Sequence, residues 1–293
     1  LSSLIGMFAF AVFDTKTEAL FLARDRIGIK PLYYYCDGKQ FIFSSEMKAI
    51  IKSGLIPVEV DDTVVYRFLT LHHSVPPETL VKGIVSLKPG HFLFVKGAQG
   101  EQTAYWDIES NAEMPPVAAA DAPKLVEDLL ADAVKKRLMS EVPLGLFLSG
   151  GLDSSLIAAF MHKIVGSGIK TFSIGFEEKE YSELPYSRRV SRMIDSDHEE
   201  IMVAPHDMME TIKPVVWYRE TPISEVSDIP MYLLCKAASK KVTVALTGEG
   251  GDEVFGGYRK YQFENVARRI GPLANPVSKR LLSGRVASAI LPQ

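Results

Sequence analysis

The chain has 293 residues, 47% of them hydrophobic and 24% charged, with a net charge of −3. That length predicts two domains, and the balance excludes a disordered chain, a collagen-like repeat and a disulfide scaffold. The mild negative charge gives no global attraction to nucleic acid, and no apolar run approaches the ~20 residues of a membrane span. Cys36 and Cys235 lie too far apart for a metal-ligand spacing or a disulfide framework, so a reducing, cytoplasmic setting fits best.

The chain opens at Leu1 rather than Met and soon enters the apolar run Met7-Phe8-Ala9-Phe10-Ala11-Val12-Phe13. That run reads as a core strand. The chain closes at Gln293 after a helical, basic stretch, and both ends are those expected of a piece of a longer protein. Further strands are predicted at 19–24, 32–36 and 40–44, with Asp37-Gly38 as a turn. Ser45-Glu46 opens a short helix to about Lys52, and Asp61-Asp62 opens another to about Leu71. Strands near 84–87 and 91–96 follow, joined by the turn Pro89-Gly90. Residues 1–108 thus read as antiparallel sheet with a few helices.

Residues 109–123 lack periodicity, hold three prolines and read as a linker. From 124 to 293 the pattern changes. Helices are predicted at about 124–139, 153–166, 183–194, 206–217 and 230–240, and strands at 144–148, 170–176, 199–203 and 242–246. Such alternation means βαβ units and a parallel sheet. The expected fold is a two-domain α/β protein.

The apolar run Leu144 to Leu148 leads straight into Ser149-Gly150-Gly151-Leu152-Asp153-Ser154-Ser155, and an apolar helix follows. A glycine pair between strand and helix gives a tight loop whose free N–H groups converge on one spot, which suits an anion. Ser149, Ser154 and Ser155 add hydroxyl donors. Asp153 would repel a phosphate, and a divalent cation between them resolves the conflict; Mg2+ takes carboxylate and phosphate oxygens together. The loop lacks the Lys of a Walker A motif, which disfavours an ordinary P-loop ATPase. The bland alternative is a Gly-Ser turn with Asp153 as helix cap.

A second glycine-rich acidic loop lies about a hundred residues on. The predicted strand Val242 to Leu246 ends in Thr247-Gly248-Glu249-Gly250-Gly251-Asp252-Glu253, then Val254-Phe255-Gly256-Gly257-Tyr258. Ligands of open parallel sheets bind at the carboxyl ends of strands. The two loops are expected to face each other there, with Asp153 and Asp252 holding one Mg2+ on a polyphosphate.

The string SGGLDSS resembles the PP-loop of ATP pyrophosphatases, and TGEGGDEVFGGY resembles the second loop of glutamine-dependent asparagine synthetases. Residues 6–11, 23–34 and 43–49 are similar to the Ntn-type glutaminase domain of that family, and Thr171-Phe172-Ser173-Ile174-Gly175-Phe176 to its adenine-side strand. The resemblance implies ATP-dependent adenylation of a carboxylate, aspartate in the name-giving members, followed by attack of glutamine-derived ammonia to give an amide. It implies Ser149, Gly150, Gly151, Asp153, Ser154 and Ser155 as pyrophosphate loop, and Asp153 with Asp252 as metal ligands. Leu148 and Ile174 line the adenine, and Gly248, Glu249 and Gly250 border the adenylate. Glu220, in Tyr218-Arg219-Glu220-Thr221-Pro222, stands as proton acceptor beside the adenylate; its bland reading is an exposed helix-end residue paired with Arg219. Lys260, with Arg259 as understudy, is the candidate for the α-phosphate charge, although its spacing after Tyr258 departs from the asparagine synthetases.

The family's glutaminase nucleophile is an N-terminal Cys. Leu1 is not that residue, and Cys36 and Cys235 read as buried small hydrophobes. Arg24, Asp25 and Arg26 are expected to organise the first domain and its contact with the synthetase half. His72-His73 reads as a surface pair at a helix end, His198 as structural, and the basic run from Arg268 to Arg285 as a solvated helix face. The expected partners are glutamine or ammonia, aspartate and ATP, with no nucleic acid and no membrane; a homodimer is left open. A related amidotransferase or cyclising synthetase that adenylates a sugar, peptide or other carboxylate keeps the same first step. A tRNA-modifying PP-loop enzyme would call for a basic domain or a cysteine pair rather than a glutaminase half. A non-catalytic protein would call for a damaged PP-loop, and this one is intact.

Overall fold

A computed structural model describes residues 1–108, 117–178, 180, 182–258 and 261. The chain divides into two compact units: residues 1–125 with 203–235, and residues 126–202 with the chain from 236 onward.

The first unit carries two antiparallel sheets. One has β1 (Ala9–Asp14), β2 (Ala19–Arg24), β6 (His91–Lys96) and β7 (Gln99–Ala104) in the order β1-β2-β6-β7. The other has β3 (Tyr33–Cys36), β4 (Phe41–Ser44) and β5 (Ile84–Ser86) in the order β4-β3-β5. Successive strand side chains point to opposite faces, and β3 uses both. Tyr34 packs with Phe41 against Leu22, Leu93 and Val95 from the first sheet. Tyr35 points the other way, onto Met47 and Ile50 of helix α1 (Met47–Lys52) and Ile84. The unit is therefore layered as sheet, sheet and helix.

Turn chemistry fixes the ends of these elements. The Asp37 carboxylate accepts from the N–H groups of Lys39 and Gln40, both at 2.9 Å, which closes the β3–β4 hairpin. Asp61 caps α2 (Asp62–Leu71) by accepting from Thr63 and Val64, and His72 ends it in a left-handed conformation. His72 and His73 are exposed there, as the sequence suggests. Arg24 is buried and donates to the carbonyls of Gly28, Lys30 and Leu87 and to Ser86 Oγ. The Asp25 carboxylate accepts from the N–H groups of Phe8, Ile29 and Lys30. This pair ties segment 25–32 to both sheets, which is the part of its expected role that lies within the first domain. Helix α6 (Pro205–Arg219) also belongs to this unit.

The second unit is built on β10-β9-β8-β11, comprising β8 (Leu144–Phe147), β9 (Lys170–Phe176), β10 (Asp197–Val203) and β11 (Val244–Leu246). β9 and β11 both run parallel to β8. Helix α3 (Ala122–Arg137) precedes β8, α4 (Leu152–Val165) connects β8 to β9, and α5 (Leu184–Met193) connects β9 to β10. Leu146, Leu148 and Leu246 from the strands pack on Ala158, Phe160 and Met161 of α4, Val134 of α3 and Ile194. The predicted α/β fold, antiparallel sheets followed by a parallel sheet flanked by helices, is the one observed.

Several expectations need correction. The apolar run 7–13, expected as a core strand, forms β1, which among the described residues pairs on one side only, with β2, and leaves Val12 and Phe13 55% and 58% exposed. Hydrophobicity alone does not distinguish an edge from a centre. Neither cysteine is buried. Cys36 alternates with buried Tyr35 at the end of β3 and donates to the Ala98 carbonyl at 3.1 Å. Cys235 follows buried Leu234 on α7 (Asp228–Ala238), on the side turned away from the packing. Strand β7 escapes the sequence reading because Gln99–Ala104 is polar and pairs as an edge. Of the linker expected at 109–123, residues 109–116 lie outside the described ones, and 122 and 123 already belong to α3.

Candidate active site

The site begins with strand order. β8 lies between β9 and β11, and both neighbours run parallel to it. The chain leaves β8 through α4 to one side, while β11 occupies the other. The carboxyl end of β8 is therefore a topological switch point, where open α/β sheets leave a crevice for a ligand. Both glycine-rich loops emerge there.

In the first loop, Gly150 has φ +83, and a Cβ on it would lie 2.5 Å from Ser187 N and 2.6 Å from the Tyr186 carbonyl carbon. Only glycine allows that close approach. Gly151 is the extended N-cap of α4 and provides no side chain, which leaves the first N–H groups of the helix without a side-chain cap. Ser149 Oγ accepts from Gly151 N at 3.2 Å and lies 2.9 Å from Ser154 Oγ. Ser155 Oγ is buried, with no hydrogen-bond partner among the described residues. A buried, unpaired hydroxyl costs about 1–3 kcal/mol, so one beside a loop of donors marks a place where a ligand oxygen fits.

The second loop packs on the first. A Cβ on Gly248 would lie 2.9 Å from Ser154 N, and one on Gly251 would lie 2.6 Å from Asp153 Cγ. Gly251, whose backbone lies against the Asp153 carboxylate, opens the short helix α8 (Gly251–Phe255), and Asp252 is the next residue along it. Gly257 closes over Asp252, its N–H donating to the Asp252 carbonyl at 3.0 Å. The loop is strongly acidic. Tyr258 donates to Glu253 Oε1 at 2.6 Å, and that bond, with burial and the carboxylates of Glu253, Asp252 and Glu249, pushes the Tyr258 hydroxyl up to about 12.

These donors fit a polyphosphate with a divalent cation. Among the described residues, no group of three or more His, Cys, Asp or Glu side chains could hold a metal ion. A cation held by Asp153 and Asp252 would take its remaining ligands from phosphate oxygens and water, the habit of Mg2+. Leu148 is 1% exposed and its N–H donates to the Phe172 carbonyl at 2.8 Å; its own carbonyl accepts from Ser173 Oγ. Ile174 is half-buried on β9. Glu249 and Gly250 are exposed, and nothing lies within 4 Å of a Cβ on Gly250. Lys260 and Arg259 lie outside the described residues.

His198 has the structural place expected of it. Its Nδ1 lies 2.8 Å from Thr171 Oγ1, which also lies 2.9 Å from Ser196 Oγ. Burial depresses the imidazole below its ordinary value; Glu200 opposes that shift and Arg188 adds to it.

Glu220 belongs to the first unit. It caps the carboxyl end of α6 in a left-handed conformation with φ +60, and its side chain is only 9% exposed. Its Oε2 accepts from Met47 N at 2.7 Å and its Oε1 from Lys48 N at 2.6 Å. Lys48 Nζ lies 3.5 Å from Oε1. The bland reading of an exposed residue paired with Arg219 does not hold, because Arg219 pairs with Asp228. The contact with Lys48 escapes sequence reasoning: 172 residues separate the partners.

Comparison with known proteins matches residues 125–291 to the asparagine synthase family and residues 1–106 to a glutamine amidotransferase domain. The glutamine-hydrolysing asparagine synthetase 1 of Bacillus subtilis strain 168 is 32% identical over 292 residues, 100% of this chain and 45% of its own length. Asparagine synthetase 3 of the same organism is 34% identical over 268 residues, 86% of this chain and 43% of its own. A Methanocaldococcus jannaschii protein given the asparagine synthetase name provisionally is 39% identical over 261 residues, 86% of this chain and 50% of its own. The chain spans about half the length of these curated relatives. With the family model covering more than half of the chain, it belongs to the asparagine synthase family.

Proposed function

We propose that this chain carries the adenylating site of a glutamine-dependent amide synthetase, with aspartate as the acid and asparagine as the product. The observation that supports the reading is the contact between the two loops, where the Gly248 and Gly251 backbones lie against Ser154 and Asp153. A carboxylate oxygen attacks the α-phosphorus of ATP, and the bond from that phosphorus to pyrophosphate breaks. Ammonia then attacks the acyl carbon, the bond to AMP breaks, and a proton is lost to Glu220.

Negative charge at the reacting phosphorus calls for oriented donors. The backbone of Gly150 and Gly151, with the hydroxyls of Ser149, Ser154 and Ser155, binds and orients the leaving pyrophosphate. Asp153 and Asp252 would hold Mg2+, whose part is to neutralise phosphate charge. Gly248, Glu249 and Gly250 border the adenylate, Leu148 and Ile174 flank the adenine, and Lys260 meets the α-phosphate. In the full-length protein the glutaminase domain to which residues 1–108 belong would supply ammonia from glutamine, with a nucleophile that is none of Leu1, Cys36 and Cys235.

The test uses the full-length protein with Mg-ATP, ammonium and aspartate, following pyrophosphate release and asparagine by mass spectrometry. Aspartate-dependent pyrophosphate with asparagine formed supports the reading. An ATP-binding protein with no aspartate-dependent turnover refutes aspartate as the acid and directs the search to larger carboxylates.

A further inference from the structure

Helix α5 reaches two of the segments assigned to the nucleotide. The backbone ladder between β8 and β9 ends, among the described residues, where the Leu148 N–H donates to the Phe172 carbonyl. Beyond that bond the first loop turns away through Ser149 and Gly150, while β9 runs on to Phe176. The first turn of α5 lies against both. A Cβ on Gly150 would meet Ser187 N at 2.5 Å and Tyr186 Cβ at 2.6 Å, and one on Gly175 of β9 would meet Leu184 Cγ at 2.9 Å. Leu184 is 4% exposed and Ser187 is fully buried, so the turn has little room to recede. Two glycines on neighbouring segments thus receive one turn of helix.

That turn is held from outside the loops. Arg188, the residue after it, donates from Nε to Glu200 Oε1 at 2.6 Å and from Nη2 to Glu200 Oε2 at 2.7 Å. Glu200 lies on β10. Such a bidentate fork fixes direction as well as distance, and it holds the Glu200 carboxyl below its ordinary range. Further along α5, Ser191 Oγ accepts from Ser196 Oγ at 2.9 Å, and Ser196 Oγ lies 2.9 Å from Thr171 Oγ1 on β9. The serines pin the far half of α5, and Arg188 pins the half that meets the glycines.

We propose that Arg188 is a positioning residue for ATP: by gripping Glu200 it seats the first turn of α5 as a spacer between the first loop and the end of β9, and so sets the span from pyrophosphate to adenine. All of these residues lie in the second unit. The proposal rests on the reading of residues 149–155 as pyrophosphate loop and of Ile174, next to Gly175, as adenine side. The Arg188 side chain is 50% exposed and that of Glu200 25%. A solvated pair of this kind adds little to stability, so its loss frees the turn without unfolding the unit. A spacer matters only to a molecule that meets both segments, because two joined fragments gain from their link only when its length matches the span between their sites.

The experiment titrates the full-length protein calorimetrically with Mg-ATP, Mg-pyrophosphate and adenosine, as wild type, Arg188→Leu, Glu200→Ala and the double variant. Arg188→Leu should weaken Mg-ATP by roughly 10-fold, leave pyrophosphate and adenosine within about twofold, and keep the melting temperature within about 4 °C. Glu200→Ala should match it, and the double variant should lose no more than either single one, since both remove the same contact. Arg188→Lys should recover part of the loss. Lys170→Met breaks another exposed ion pair between β9 and β10, 3.1 Å from Asp197, without reaching α5, and should change none of the three affinities. Glu200→Gln is read instead if Arg188→Leu does not fold. Unchanged Mg-ATP affinity in the variants, or a parallel loss for all three ligands, overturns the proposal while the loop reading stands. A wild type that binds neither Mg-ATP nor Mg-pyrophosphate overturns both.

Discussion

Gly251→Ala isolates the contact between the two loops. Gly251 opens α8, and its φ is not among the left-handed ones, so alanine suits the backbone. Helix propensity favours alanine by up to about 1 kcal/mol. The new Cβ, however, would lie 2.6 Å from Asp153 Cγ and 2.7 Å from Oδ1, where ordinary contact begins near 3.4 Å. The carboxylate must recede by most of an ångström, at about 0.5–1.5 kcal/mol if its rotamer is strained. The two terms nearly cancel, so the melting temperature should move by no more than about 4 °C. Function should not be spared, because a misplacement of about 1 Å costs on the order of 100-fold in a positioned reaction. The assay pairs calorimetric titration of Mg-ATP with pyrophosphate release by the full-length protein. Gly250→Ala is the contrast, since its Cβ meets nothing within 4 Å but its φ is +91, which costs about 1–2 kcal/mol of stability without touching Asp153. A Gly251→Ala protein that binds Mg-ATP and releases pyrophosphate like the wild type would refute the assigned role of this contact.

Other perturbations separate stability from chemistry. Ser155→Ala removes a buried hydroxyl that has no partner among the described residues, so thermal unfolding should hold or rise slightly while affinity for Mg-ATP falls by roughly 5- to 10-fold, the value of about one hydrogen bond. Leu93→Ala, at a position 2% exposed between the two sheets of the first unit, should destabilise that unit by about 2–5 kcal/mol in denaturant titration. His198 is depressed below its ordinary 6.5 by burial first, so the unfolded chain takes up its proton before the folded one. Its contribution to stability is complete above about pH 6.5 and is lost as pH falls from there through the lower folded value. Denaturant midpoints at pH 5.5 and 7.5 should therefore differ less in His198→Gln than in the wild type.

Much of the fold was legible because its signals are local. Asp61 and Asp37 are short-range hydrogen bonders, and each ends its element where the sequence places it. The strands that feed the two loops were legible from apolar runs followed by glycine. What failed depends on neighbours that a single strand does not encode. β1 looks like a core strand because it is apolar, yet among the described residues it pairs on one side only, with β2. Cys36 looks buried because three tyrosines precede it, but strand alternation turns it outward. The glycine-rich motifs were legible as a candidate site, whereas the grip of α1 on Glu220 joins residues 172 and 173 positions apart.

The glycines of the second loop show why spacing and structure carry different information. In sequence Gly248, Gly250 and Gly251 are equivalent punctuation. In the structure Gly250 is there for its φ of +91 and has open space around it, while Gly248 and Gly251 sit where the other loop leaves no room for a Cβ. The first is a requirement of the turn; the other two are requirements of contact with Ser154 and Asp153. A loop that needed only to bend would tolerate alanine at 251. A loop that must lay its backbone on the carboxylate of another cannot, because any side chain there moves the charge it is packed against. The motif is therefore better understood as half of a two-part surface than as a flexible acidic turn, and Asp153 is the residue through which the two halves meet.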